Sequence, residues 1–303
     1  MKLRVWSALV VVCGMLACES ADPGATAPPD AQLAGVPDLV GLADLIVDSN
    51  LLAASWVIYE ETFSSLGCTA IEGGFAGGTY RTLRFSVSTP NIGDADIAIG
   101  DPNDHIDPNG DGDFSDSDGL YEFATCHNHY HFRNYATYEI LPVNANGSVG
   151  AAIQAKKRGF CMIDTTPWQE TEAPRQKVYD RCGAPGIAGN QGISTGWADQ
   201  YFKWLTGQFF LLNDPDEPIV PGKYVIRITV NPAYRARRGE PCPAVDADGL
   251  CHMFAESNYR NNVGEAVVVV PSRVGRTGYG PGSGQEPQAE IQHKEHQPVE
   301  KTN

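Results

Sequence analysis

The stretch "CHNHYHFRNYATYEILPV", residues 126–143, decides how this chain is read. From His129 onward its side chains alternate in character. A period of two is the mark of a β-strand, whose successive residues point to opposite faces. His127, His129 and His131 occupy every second position. A strand through them sets the three imidazoles on one face, with Asn128 and Tyr130 turned the other way. Comparable runs lie on either side: "YRTLRFSVSTPNIG" (80–93), "QFFLLND" (208–214), "PGKYVIRITVNP" (221–232), led by a Pro-Gly turn, and "NNVGEAVVVVP" (261–271). "SNLLAASWVIYEETF" (49–63) reads as a short helix capped by Ser49, or as a strand, because β-branched residues stand near its centre. Short strands, turn signals and few helical patterns predict a mainly β fold, a β-sandwich-like core with long irregular loops and little helix. Residues 164–208 carry no clear period and read as a loop of functional length.

The ends of the chain have other compositions. Lys2 and Arg4 precede a short apolar run that closes on Met15-Leu16-Ala17-Cys18. Residues 1–18 therefore read as a secretory signal of lipoprotein type, with Cys18 as a lipid-anchored first residue. The other reading is ordinary cleavage near "ATA" and free secretion. Either way the protein is exported, as an outer-membrane lipoprotein, a periplasmic protein or a secreted one. Residues 19–40 read as a flexible tether and 273–303 as a disordered tail, with one globular domain over 41–272 between them. No later segment is apolar and long enough to span a bilayer.

Export changes how the cysteines read. Beyond Cys13 and Cys18, six remain: Cys68, Cys126, Cys161, Cys182, Cys242 and Cys251. Fifteen pairings are open in an oxidising compartment. Closeness in sequence favours Cys242 with Cys251 and Cys161 with Cys182, which leaves Cys68 for Cys126. The formal charge of −15 excludes nucleic acid as a partner, since no basic surface exists to neutralise phosphates. It suits cationic substrates, whose local concentration an acidic protein raises.

Two segments have the composition of metal sites. The sequence has seven histidines, and three stand within five residues in strict alternation. Imidazole suits copper, zinc, nickel and iron, and an all-nitrogen set completed by water fits Cu(II). The same three ligands would serve a zinc hydrolase, or a copper-binding protein without further chemistry. "DPNGDGDFSDSD" (107–118) places Asp107, Asn109, Asp111, Gly112, Asp113, Ser115 and Asp118 at the spacing of an EF-hand-type calcium loop, with Asp in place of the final Glu. So many carboxylates repel one another unless a cation neutralises them, which makes calcium the expected ligand.

Cys126-His127-Asn128-His129-Tyr130-His131 resembles the copper-binding segment of the lysyl oxidase family, Cys-His-x-His-Tyr-His. Further segments follow in that family's order: 42–68, "GFCMID" (159–164), "GISTGWADQY" (192–201), "VPGKYVIRITVNPAY" (220–234) and "ESNYRNNV" (256–263). The residues before Cys126, "YEFAT", depart from the Trp and His of the family's vertebrate members. The resemblance implies a catalytic domain over 41–272 that uses copper and a self-derived lysine tyrosylquinone. It implies oxidation of primary amines, free or as peptidyl lysine, by O₂ to aldehydes, with release of ammonia and hydrogen peroxide. The quinone's lysine falls on Lys157, four residues before Cys161, with Lys156 beside it as a rival; its tyrosine falls on Tyr201. The proton acceptor stays open among Asp199, Asp164 and His252.

Overall fold

The computed structural model describes residues 42–157, 159–168, 176–273, 275 and 277–284. The expected signal at 1–18, with Cys18, and the tether at 19–40 lie outside the described residues. α1 (Ser49–Ser55) leads into β1 (Val57–Phe63), α2 (Cys68–Gly73) and β2 (Gly78–Arg84). β3 (Val87–Pro90), β4 (Ile97–Gly100) and α3 (Pro102–Ile106) follow, and the acidic loop after them holds a single 3-10 turn at Phe114–Asp116. Next come β5 (Tyr121–Ala124), β6 (His129–Phe132), β7 (Ala136–Pro142), β8 (Ile153–Gln154) and β9 (Thr166–Pro167). The rest of the domain is strand and loop: β10 (Gln191–Ile193), β11 (Trp197–Tyr201), β12 (Phe209–Leu211), β13 (Gly222–Val230), β14 (Ala244–Val245), β15 (Cys251–His252) and β16 (Val263–Val270). The molecule is mainly β with little helix, as expected.

The largest sheet has the antiparallel order β16-β13-β7-β8. β16 alternates strictly between buried and exposed residues, as a sheet with one wet face requires. Tyr138, Ile140, Ile226, Ile228 and Val268 on its inner face meet Leu83, Phe85, Val87, Tyr201 and Phe210 in one core. Burying each of the larger aliphatic side chains contributes about 1.5–3 kcal/mol. Two three-stranded sheets, β1-β2-β12 and β3-β11-β9, supply that second layer.

Four expectations change in detail. The run through 129–143 is not one strand: Asn134 takes φ 55°, which ends β6 and redirects the chain into β7 of another sheet. His127 stands before β6, in a turn with Asn128 at φ 56°, so the three histidines do not share one regular strand. The segment 49–63 is helix and then strand. Its cap is Asp48, which accepts from the Asn50 and Leu51 amides at 3.0 Å each, and Ser49 is the first helical residue. The described residues of 164–208 include three strands; β9 and β10 are too short to show a period and β11 is buried on both faces.

The disulfides are Cys68–Cys126, Cys161–Cys182 and Cys242–Cys251, the pairing that closeness favoured. The packed domain runs past 272. Tyr279 and Ile58 exchange backbone hydrogen bonds at 2.7 and 2.8 Å, and the buried Lys203 donates from Nζ to the Gly282 carbonyl at 2.8 Å. Of the expected tail, 285–303 lies outside the described residues.

Candidate active site

β6 pairs with β5, opposing Glu122 to His131 and Ala124 to His129. This register brings His129 and His131 up side by side, their Nε2 atoms 3.1 Å apart. His127 reaches the same place from the turn, and the donor atoms of the three rings lie within 4.8 Å of one another. They are the one such group of three or more His, Cys, Asp or Glu residues among the described residues. His129 and His131 are buried, 8% and 5% exposed. A buried cluster of imidazoles has few protein donors to share and suits a cation that accepts nitrogen lone pairs. Glu72 of α2 lies against it, Oε2 3.4 Å from His127 Nε2.

The segment before Cys161 runs beside β6, where the Phe132 amide donates to the Phe160 carbonyl at 2.7 Å. Gly159 lies under His131, where a Cβ would collide with the imidazole Nδ1. Lys157, at the head of the segment, sets its Nζ 5.0 Å from the centre of the Tyr201 ring and 5.4 Å from that of Phe160. Lys156, which borders the same cleft, forms an ion pair with Asp214 at 2.6 Å. Gly207, at φ 72°, allows this arrangement, since a Cβ there would stand 2.9 Å from the Lys157 Cα.

Tyr201 ends β11, which pairs with β3 in unbroken register. Its hydroxyl donates to the Cys161 carbonyl at 2.8 Å. Asp199 lies two residues earlier on this regular strand and so shares the Tyr201 face. It is fully buried, with the Tyr201 hydroxyl as a side-chain neighbour. Burial pushes its carboxyl well above the usual range, with the Tyr201 hydroxyl and Lys157 pulling the other way. Burial first, and then Asp199, hold the Tyr201 phenol proton on well above its ordinary value.

The two rivals of Asp199 are committed elsewhere. Asp164 accepts from the Ser194 hydroxyl at 2.7 Å and from the amides of Val178, Tyr179 and Ser194. His252 pairs with the Asn231 carbonyl and Asp246 and stacks on Tyr259. A small cleft with enclosed room for about one water molecule lies beside Lys157, bordered by Glu72, Lys156, Gly159, Thr206 and Gly207.

The acidic loop stands apart. Asp107 accepts from the amides of Asp111 and Gly112, Asn109 from Asp111, Asp111 from Asp113, and Asp113 from Ser115. Asp118, at the last position of the loop, pairs through Oδ2 with His105 Nδ1 at 2.6 Å and accepts from the Leu120 amide through Oδ1. α3 precedes the loop directly.

Glu72, Gly159 and Gly207 received no role from the sequence. A signal for Glu72 exists: it lies four residues after Cys68, on the same helical face as the cysteine joined to Cys126.

Compared with known proteins, the chain matches the family model described as lysyl oxidase over residues 43–240. No curated protein sequence matches it. Among solved structures, the CARDB domain of the PF1109 protein from Pyrococcus furiosus, in complex with di-metal ions, aligns over 77% of this chain and 92% of that one. Its sequence identity is 10% and its TM-score 0.21.

Proposed function

Because the chain belongs to the lysyl oxidase family, we propose that it is a copper- and quinone-dependent oxidase of primary amines. It would turn free amines or lysine side chains into aldehydes, consuming O₂ and releasing ammonia and hydrogen peroxide. The observation that carries this reading is Lys157 Nζ standing 5.0 Å from the Tyr201 ring, on a segment that also packs against His131. The three imidazoles, converging and buried, fit copper as a donor set, and His127, His129 and His131 would hold it. When bound, copper supplies redox chemistry with O₂, and the lysine tyrosylquinone made from Lys157 and Tyr201 supplies an electrophilic carbonyl and a two-electron sink.

The remaining work belongs to the chain. The Cys161 carbonyl and the β3 pairing hold the Tyr201 ring still. Gly207 lets the Lys157 backbone approach close enough to aim its amine across the ring. Asp199, buried beside Tyr201, would take the proton released from the substrate α-carbon. Glu72 at the cleft and the overall charge of −15 favour cationic amines. Three disulfides accord with an exported protein. Among the described residues no helix is long and apolar enough to cross a membrane.

The test is peptide mass spectrometry of copper-replete, oxygen-exposed protein. A cross-linked peptide joining Lys157 to Tyr201 and a phenylhydrazine adduct are expected. Lys157→Ala and Tyr201→Phe should lose the adduct and all amine-dependent peroxide while keeping the fold. Recovery of only unlinked peptides would sink the oxidase reading and return the chain to a copper-binding role.

A further inference from the structure

His127 is the one histidine of the three that a strand does not hold. It stands in the turn before β6, so the pleat that aligns His129 with His131 gives its ring no direction. α2 packs against that turn. Its first residue, Cys68, is bonded to Cys126, the residue before His127. Glu72, four residues on, falls on the same helical face. Its Oε2 lies 3.4 Å from His127 Nε2, with the His127 side chain 6% exposed. Glu72 stands outside the group whose donor atoms lie within 4.8 Å of one another, so it is a neighbour of the ligand set and not a member of it. A carboxylate on one ring nitrogen fixes the tautomer and leaves the other nitrogen for the ion.

We propose that Glu72 and the Cys68–Cys126 bond form a brace that orients His127 toward the metal. In it Glu72 is a positioning residue that accepts the His127 Nε2 proton and turns Nδ1 to the ion. α2 also borders the cleft beside Lys157, through Glu72 and Gly73. The proposal rests on the three-histidine copper reading and is independent of the quinone.

The experiment titrates copper(II) alone into the purified metal-free chain and reads affinity and the EPR spectrum of the bound ion. Glu72→Ala should weaken binding about 10- to 100-fold and change the copper hyperfine coupling, with the melting temperature of the metal-free protein unchanged. Glu72→Gln, which keeps an acceptor oxygen, should recover much of the loss. Replacing both Cys68 and Cys126 by Ser should weaken binding as well. Glu72→Ala added to that background should then cost less than in the bonded chain, because both changes release the same turn. Unchanged affinity and spectrum in Glu72→Ala would overturn the proposal. So would a loss matched by lower stability of the metal-free protein, or equal costs in the two backgrounds. His129→Ala controls the premise: if it binds copper like the unaltered chain, the copper reading itself fails. A missing Lys157–Tyr201 cross-link moves none of these readouts.

Discussion

Gly159 shows how little space surrounds the clustered histidines. A methyl group there would strike His131 Nδ1, and both are held by packing. Gly159→Ala should therefore lower copper affinity with little change in secondary structure, which isothermal titration and circular dichroism would separate. An alanine variant that binds copper as tightly as the unaltered chain would show that His131 has room to move. Asp199 makes a different prediction. Its carboxyl is protonated over an unusually wide range because burial disfavours the charge. A base must first lose that proton, so turnover should rise with pH through a range above that of ordinary carboxylates. In Asp199→Asn that rising limb should vanish, with roughly a 10²–10⁴-fold drop in rate. A variant that keeps both limb and rate would free Asp199 from the role. Neither property was legible in advance. Asp199 is one of 37 acidic residues in the sequence, and only its burial against the Tyr201 hydroxyl distinguishes it from Asp164, which four donors engage.

Among the elements, α2 is short yet does the most bracing, since a disulfide and an acidic side chain leave the same face of it. The Cys68–Cys126 bond closes 58 residues and Cys242–Cys251 only 9. In the chain-entropy model, the first is worth about 4 kcal/mol and the second about 2.5. Removing Cys68–Cys126 should therefore lower unfolding stability more than removing Cys242–Cys251, in denaturant titrations of the paired serine variants. Equal losses would mean that native contacts, not loop closure, set the difference. Strands with one wet face, such as β16, were readable because their period matches the pleat. β11 was not, because a strand buried on both sides has no polar face to alternate. The break at Asn134 was hidden for another reason: left-handed backbone leaves no mark on a run of side-chain types.

At the scale of the whole molecule, Glu256 joins segments far apart in sequence. It accepts from the Leu45 amide at 2.6 Å and from the side-chain amides of Asn231 and Asn262 at 2.7 and 2.8 Å. Burial nevertheless pushes its carboxyl up to about 7, with the hydrogen bonds from Asn231, Leu45 and Asn262 opposing the rise. Between about 4.5 and about 7 the folded carboxyl keeps a proton that the unfolded one has lost. Stability from this group is thus fully present below that window and falls as pH rises through it, by about 3 kcal/mol. Asp199 acts with the same sign. Chemical denaturation at pH 4.5 and pH 8 should show the fall, and Glu256→Gln should reduce the slope; an unaltered slope would show that Glu256 is ionised when folded. The sequence by itself marked the three clustered histidines, the disulfide partners, the main strands and the resemblance to the lysyl oxidase family. Each of these is written in spacing along the chain: alternation, nearness of cysteines, and ordered motifs. Tertiary structure alone gave Lys156 and Lys157 different neighbours, Asp214 for the first and the Tyr201 ring for the second. It also buried Asp199 and set Glu72 beside His127. Those outcomes depend on which distant groups compete for a side chain, and that competition exists only once the sheets have closed around the core.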